Sequence, residues 1–275
     1  MLKSHVDIAG RVEKSPNQRI YELDDLVRSY IAQEKLQPPE EAILSTLKPE
    51  LSAMRMLDLG VGGGRTTVHF APLVNDYVGV DYSEKMVAAC QSRFRSSLHK
   101  SSFRVADACS MPEFADGSFD FVLFSYNGLD YVSGEMRQKA LHEIRRVLCP
   151  GGKFAFSSHN LNALRQRLKL RLWQHPKRFA AQLIWKTRFR QHNPILVDIW
   201  NGEKVVVNDG ALDFRLHTYY LTPQAQMNDL NETGFSDVRA FNLASGKIIS
   251  DGPSLEKNKE DWIYYLCSRI THGLR

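Results

Sequence analysis

The sequence predicts an α/β chain: a doubly wound, seven-stranded mixed sheet with a helical and β-hairpin insert after strand five. Three observations carry that reading. Apolar runs alternate with helix-like stretches from Met54 onward, a glycine turn follows the first run, and a stretch from Leu161 to Tyr220 falls outside the alternation. Such alternation specifies parallel strands covered by helices on both faces.

The runs Arg55–Leu59, Tyr77–Val80, Phe103–Val105, Phe119–Phe124 and Lys153–Phe156 read as buried strands, because continuous apolar runs suit strands covered on both sides. Ser83 caps a helix running through Met86, Val87 and Cys90 towards Phe94. A second helix covers Glu135 to Leu148, and Pro150-Gly151-Gly152 ends it. Ahead of the core, Tyr21 to Gln33 reads as an amphipathic helix, with Pro38-Pro39 closing that region. The insert begins as a basic helix, breaks at Pro176 and resumes to about Phe189. It ends in a hairpin of Lys204–Val207 and Leu212–Tyr219 about an Asn208-Asp209-Gly210 turn. Thr222 then caps a helix to about Thr233. Strands near Val238–Asn242 and Trp262–Cys267 complete the sheet, this last hairpin supplying an antiparallel edge. Four units follow: an N-terminal helical cap (1–50), a ligand-binding core (51–160), a basic lid insert (161–220) and the C-terminal part of the core (221–275).

The chemistry concentrates at Leu57-Asp58-Leu59-Gly60-Val61-Gly62-Gly63-Gly64-Arg65, an apolar strand entering a glycine turn. Glycine is needed where backbone turns tightly and approaches a ligand without a Cβ. A dinucleotide site would place a third glycine three residues after Gly62, where Arg65 stands. The spacing of Gly60, Gly62 and Gly64, with Asp58 before it, suits instead a zwitterionic amino-acid tail whose ammonium Asp58 can meet.

Here the sequence resembles the class I S-adenosylmethionine (SAM)-dependent methyltransferase family, over roughly Met54 to Asn160. Asp81 ends the second strand about 20 residues on, the place of the acid that receives ribose hydroxyls. The resemblance implies that Asp107 takes the adenine amino group and the Ala108 backbone N–H a ring nitrogen, with Tyr82 and Ser125 as further cofactor contacts. Gly117-Ser118-Phe119-Asp120-Phe121-Val122 and Leu148-Cys149-Pro150-Gly151-Gly152 match the family's later signatures. SAM is the implied cofactor and methyl transfer the implied reaction, with a layout like that of small-molecule and sugar-modifying members.

After strand four stands Ser125-Tyr126-Asn127-Gly128-Leu129-Asp130-Tyr131, without the (Asn/Asp)-Pro-Pro-(Tyr/Phe) motif of amino-methylating nucleic-acid and glutamine enzymes. Cys109 is too early for a pyrimidine-methylase nucleophile, and no His/Asp/Glu cluster has metal-ligand spacing. Exclusion leaves a small-molecule acceptor, a hydroxyl or amine on a sugar-like or other anionic metabolite. Ser157-Ser158-His159-Asn160 puts a histidine at the carboxyl edge of strand five, where open sheets bind ligands. His159 is the candidate general base for a hydroxyl acceptor, with Asp130 and Tyr126 as alternatives and Tyr131 as a further one. Each of these also reads as a packing or hydrogen-bonding group. His217, in the predicted hairpin, reads as a satisfied strand histidine.

Net charge is +5, and Asn160 to His192 alone holds nine Lys or Arg with no acid. Leu161, Leu164, Leu168 and Leu172 recur at helical spacing, and Phe179, Ala180, Leu183 and Ile184 repeat the pattern after Pro176. Three readings stand: a lid packed on the core with a solvated basic face, arginine ligands for a phosphate-bearing acceptor, and a basic amphipathic surface with Trp173 and Trp185 resting on an anionic membrane. RNA methylation through this block, a non-catalytic SAM-binding subunit and aminopropyl transfer are the rival functions; nucleic acid is disfavoured because no RNA-binding module is appended. The four dispersed cysteines read as reduced thiols. With no signal segment and no apolar span near 18 residues, the expected address is the cytoplasm. Oligomeric state is not legible.

Overall fold

A computed structural model describes residues 16–96, 100–132, 134–170, 176–194 and 197–271. Among the described residues nine strands form one sheet: β1 (Arg55–Leu59), β2 (Asp76–Asp81), β3 (Ser101–Val105), β4 (Phe119–Phe124), β5 (Leu148–Asn160), β6 (Lys204–Val207), β7 (Thr218–Leu221), β8 (Phe235–Asn242) and β9 (Trp262–Arg269). The helices are α1 (Pro16–Tyr21), α2 (Asp24–Ile31), α3 (Pro38–Leu51), α4 (Thr67–Phe70), α5 (Glu84–Phe94), α6 (Gly134–Val147), α7 (Leu161–Leu168), α8 (Pro176–His192), α9 (Val197–Asn201), α10 (Pro223–Thr233) and α11 (Gly252–Glu256).

Strands β3-β2-β1-β4-β5 run parallel. β9 lies antiparallel between β5 and β8. The predicted seven strands are therefore present, and the insert adds β6 and β7. The antiparallel member sits one place in from the edge, however, so β8 is the edge strand.

Side chains of a strand point alternately to the two faces, and the two main cores follow that period. Leu57, Val122, Phe124, Tyr265 and Cys267 join one cluster with Ala140, Leu141 and Ile144 of α6 and Leu230 of α10. Met56, Phe121, Leu123, Tyr264 and Leu266 join the other, with Ile43, Leu47 and Leu51 of α3, Phe70 of α4 and Val87 of α5. Residues 38–51 thus belong to the core rather than to a cap. Pro38 and Pro39 start α3, at its first turn where a missing N–H is harmless, instead of closing the preceding region.

Other boundaries differ locally. The helix expected over 21–33 is α2, Asp24–Ile31, and a separate short helix, α1, ends at Tyr21 before it. α6 ends at Val147, and β5 begins at Leu148 and runs through Pro150-Gly151-Gly152, with a register shift opposite Phe119 and Phe121. Residues 208–217 replace the tight hairpin turn, with Leu212, Asp213 and Phe214 at positive φ, so β7 starts only at Thr218. β5 overhangs β4, whose pairing ends at Phe156. β9 occupies one edge of His159, and β7 pairs parallel at His159 and Asn160 on the edge that β4 leaves.

The insert has its own core of Leu161, Leu164, Phe189, Ile199, Val207, Phe214 and Tyr220. The α7 stripe faces inward as expected, but Leu183 and Ile184 of α8 are exposed at 42% and 63%, so that predicted apolar face points outward. Trp185 and Phe189 make the inward contacts instead. Arg171, Leu172 and Trp173 lie outside the described residues, as do the N-terminal residues 1–15.

Candidate active site

The carboxyl ends of β1, β2, β4 and β5 converge on one edge. The turn after β1 places Gly60, Gly62 and Gly64 at φ +62°, +55° and +81°, which a side chain resists. A Cβ at Gly62 would stand 3.0 Å from the Tyr30 ring, and one at Gly63 would stand 2.4 Å from the Ile31 backbone nitrogen. The end of α2 therefore roofs the turn. Gly64 serves packing, since its missing Cβ makes room for Phe94 of α5.

Two buried carboxylates flank the turn. Asp58 accepts from Thr66 Oγ1 and Tyr77 OH, both 2.6 Å from Oδ2. Asp81 accepts the backbone N–H of Gly62 on Oδ2 (3.0 Å) and of Ser83 on Oδ1 (2.9 Å). Burial pushes each up to about 6, against the pull of these hydrogen bonds. Both acids thus favour an arriving donor or cation. Asp58, Gly60, Gly62, Ser125 and Tyr126 line a narrow cavity of about 30 Å³ under Tyr30 and Gln33. This space borders the glycine turn, and Tyr30 of α2 closes it.

The site contains a group that motif spacing did not reveal. Glu40, 1% exposed in the first turn of α3, takes the Arg65 guanidinium (2.6 Å to Nη2), the Ser125 hydroxyl and the Tyr264 hydroxyl (3.0 Å). Burial alone would raise Glu40, but Arg65 and the Gln37 N–H hold it below its ordinary value. Gln37 and Glu40 form a reciprocal capping box, and Gln37-Pro38-Pro39-Glu40 is the sequence signal that marks them. Arg65 is thereby tied to a buried acid and lies 5.1 Å from the Tyr126 ring centroid.

Asp107 is exposed beyond β3 and accepts the Cys109 N–H (2.9 Å), so Ala108 sits in a tight turn at that strand end. Tyr82 borders Asp81 and packs edge-on against Tyr21, with centroids 5.9 Å apart; Tyr21 in turn meets Tyr30 and Tyr131.

Beyond β4, Tyr126 and Asn127 both adopt left-handed backbone, φ 56° and 61°. Such conformations cost about 1–3 kcal/mol each and need support. Asn127 donates its backbone N–H to Ser157 Oγ (2.8 Å), and its side-chain Nδ2 lies 3.4 Å from His159 Nε2. Asp130 and His159, predicted as alternatives, are partners. Asp130 is fully buried, and its Oδ2 accepts the backbone N–H (2.6 Å) and Nδ1 (2.9 Å) of His159. A carboxylate can only accept here, so Nδ1 carries a hydrogen, and in the neutral ring Nε2 holds the lone pair. Asp130 is removed as a direct base because its oxygens face protein donors. Tyr126 is 38% exposed and forms a wall of the cavity. Around the imidazole stand Tyr220, Tyr131 and Trp262, with centroids at 4.9, 6.0 and 6.0 Å. His217 lies before β7, exposed, and its backbone bonds Asn17.

The donor set fits SAM. A positive-φ glycine turn and two acids suit an amino-acid tail and a ribose, and the cation nearest the turn is paired with Glu40. Residues 57–156 match the family described as a methyltransferase domain. Over that stretch the chain is similar to methyltransferase domains. The methyltransferase YcgJ of Bacillus subtilis, itself uncharacterized, is 30% identical over 164 residues, 53% of this chain and 63% of that protein. A demethylmenaquinone methyltransferase of Thermus thermophilus is 29% identical over 156 residues, 56% of this chain and 62% of that protein. The chain thus spans less than two thirds of the curated relatives it matches. Phosphoethanolamine N-methyltransferase 2 of Haemonchus contortus, solved in complex with SAM, shares the fold at a TM-score of 0.59 and 19% identity, over 94% of this chain and 60% of that one. The expected α/β fold is met at this level. Among the described residues no group of three or more side chains is arranged for a metal ion, and no helix is long and apolar enough to cross a membrane.

Proposed function

We propose that this protein transfers the methyl group of SAM to a hydroxyl of a small-molecule acceptor, with His159 as general base. One observation carries the reading: His159 sits at the carboxyl end of β5 with Nδ1 held by Asp130 and its Nε2 lone pair turned towards the loop after β4. SAM, when bound, supplies an electrophilic methyl group on a sulfonium. Asp81 would receive the ribose hydroxyls and Asp58 the ammonium, directly or through water. The backbone of Gly60–Gly62 would line the amino-acid tail, while Asp107 and the Ala108 N–H would meet adenine. Tyr82 and Ser125 border the two ends. His159 takes the hydroxyl proton as the acceptor oxygen attacks, and the surrounding aromatic rings keep water out. In-line displacement needs chiefly alignment and desolvation, which a site closed by Tyr30 can supply.

The names of the relatives span a demethylmenaquinone and a phosphoethanolamine enzyme, so the hydroxyl rests on His159 alone. An anionic group on the acceptor has less support than the basic insert suggested. Arg165 donates to the carbonyls of Ile199 and Gly202, Arg167 stacks on Trp185, and Arg188 pairs with Asp213. These three build the insert itself.

Calorimetry and turnover test the proposal together. Asp81→Ala should weaken SAM binding by about 1.5–3 kcal/mol, roughly ten- to a hundredfold. His159→Ala should leave that affinity unchanged and slow S-adenosylhomocysteine release, with a panel of sugar and phenolic hydroxyl acceptors, by about 10²–10⁴. Full turnover in His159→Ala would refute the base.

A further inference from the structure

Beneath the Asp130–His159 pair runs a chain of buried charges. Arg137 is 1% exposed on the inner face of α6, where Ala140, Leu141 and Ile144 are the neighbouring apolar positions. Burying a guanidinium there is costly unless its hydrogen bonds are met, and a methionine of similar length would pack at less expense. The guanidinium lies between two carboxylates, 3.4 Å from Asp130 Oδ1 and 3.6 Å from Asp229 Oδ2. It also donates to Ser158 Oγ (3.3 Å) and Gln226 Oε1 (2.7 Å), and it stands 5.4 Å from the Tyr219 ring centroid. Asp229 in turn pairs with Lys204 of β6, so the chain reaches the insert.

We propose that Arg137 is a positioning residue, acting through Asp130 to hold His159 in the single tautomer a base requires; this rests on His159 being that base. The two oxygens of Asp130 are divided. Oδ1 takes Ser158 Oγ (2.9 Å) and Arg137, and Oδ2 takes the backbone and ring nitrogens of His159. Holding Oδ1 stops the carboxylate from rotating, which keeps Oδ2 aimed at Nδ1–H. The other neighbour cannot make this selection. Asn127 presents Nδ2 to Nε2, but its Oδ1 has no hydrogen-bond partner. A flip of the amide would offer an acceptor to an Nε2–H equally well. Tautomer choice therefore falls to Asp130, and the orientation of Asp130 to Arg137 and Ser158.

The test is the imidazole nitrogen spectrum of the full chain labelled with ¹⁵N-histidine, at a pH where the ring is neutral. His159 is assigned by its absence in His159→Gln. The wild-type protein should show one tautomer, Nδ1 protonated and Nε2 not. Arg137→Met should move both resonances towards averaged positions while SAM affinity by calorimetry stays at the wild-type value. Arg137→Met/Asp229→Leu, which strands no second carboxylate, provides the same reading if the single variant does not fold. A wild-type tautomer in either folded variant would overturn the inference, whatever the rate of His159→Ala. Conversely, full turnover by His159→Ala would remove the base without touching the coupling that the spectrum reads.

Discussion

Replacing Asp58 by asparagine should stabilise the cofactor-free protein while weakening cofactor binding. Both donors to Asp58 meet the same oxygen, Oδ2, so an amide with its oxygen in that place keeps Thr66 and Tyr77. What it removes is the penalty of a buried charge. Asp58 is pushed from its ordinary 3.8 up to about 6, with burial as the cause. A carboxylate with a raised folded value binds more protons folded than unfolded between those two pH values, so stability falls as pH rises through that window. At about 1.36 kcal/mol per unit, the wild-type protein loses about 3 kcal/mol by pH 8 and only about 0.5 kcal/mol at pH 4. Asp58→Asn should recover the difference, raising Tm by roughly 6–12 °C at pH 8 and little at pH 4. Urea unfolding of both proteins at pH 8, 6 and 4 measures it, with calorimetry for SAM alongside. An amide variant no more stable at pH 8, or one whose advantage does not shrink in acid, would show that burial does not govern this carboxylate.

Glu40→Gln should destabilise the fold by about 3–5 kcal/mol, because it leaves the Arg65 guanidinium buried without its partner; denaturation at the wild-type midpoint would contradict this. Gly63→Ala would set a Cβ 2.4 Å from the Ile31 nitrogen and 2.5 Å from the Tyr30 carbonyl carbon. The last turn of α2 should lift, seen as faster hydrogen exchange in residues 24–33 with the sheet unchanged, and equal protection there would mean the roof is not seated on this turn.

How much of this was legible in the sequence follows from the range of the forces involved. Strand and helix alternation is local, so five parallel strands, their buried faces and the glycine turn could be read from period and composition, and Asp58, Asp81 and His159 followed from their places at strand ends. The acid of the capping box was equally local, at Gln37 to Glu40, but the two prolines beside it read as a stop when they are a start. What tertiary structure alone decided were pairings between distant segments. Asp130 and His159 are 29 residues apart, Glu40 and Tyr264 224, and neither spacing carries a period. The outward face of α8 and the placement of β9 inside the sheet belong to the same class, because which neighbour covers an apolar face depends on how chain ends meet in space. The sequence by itself determined that a parallel sheet would end in a glycine turn flanked by acids. Only the folded chain, by bringing Asp130 under His159 and Tyr30 over Gly62, decided which of those groups face one another and with what protonation.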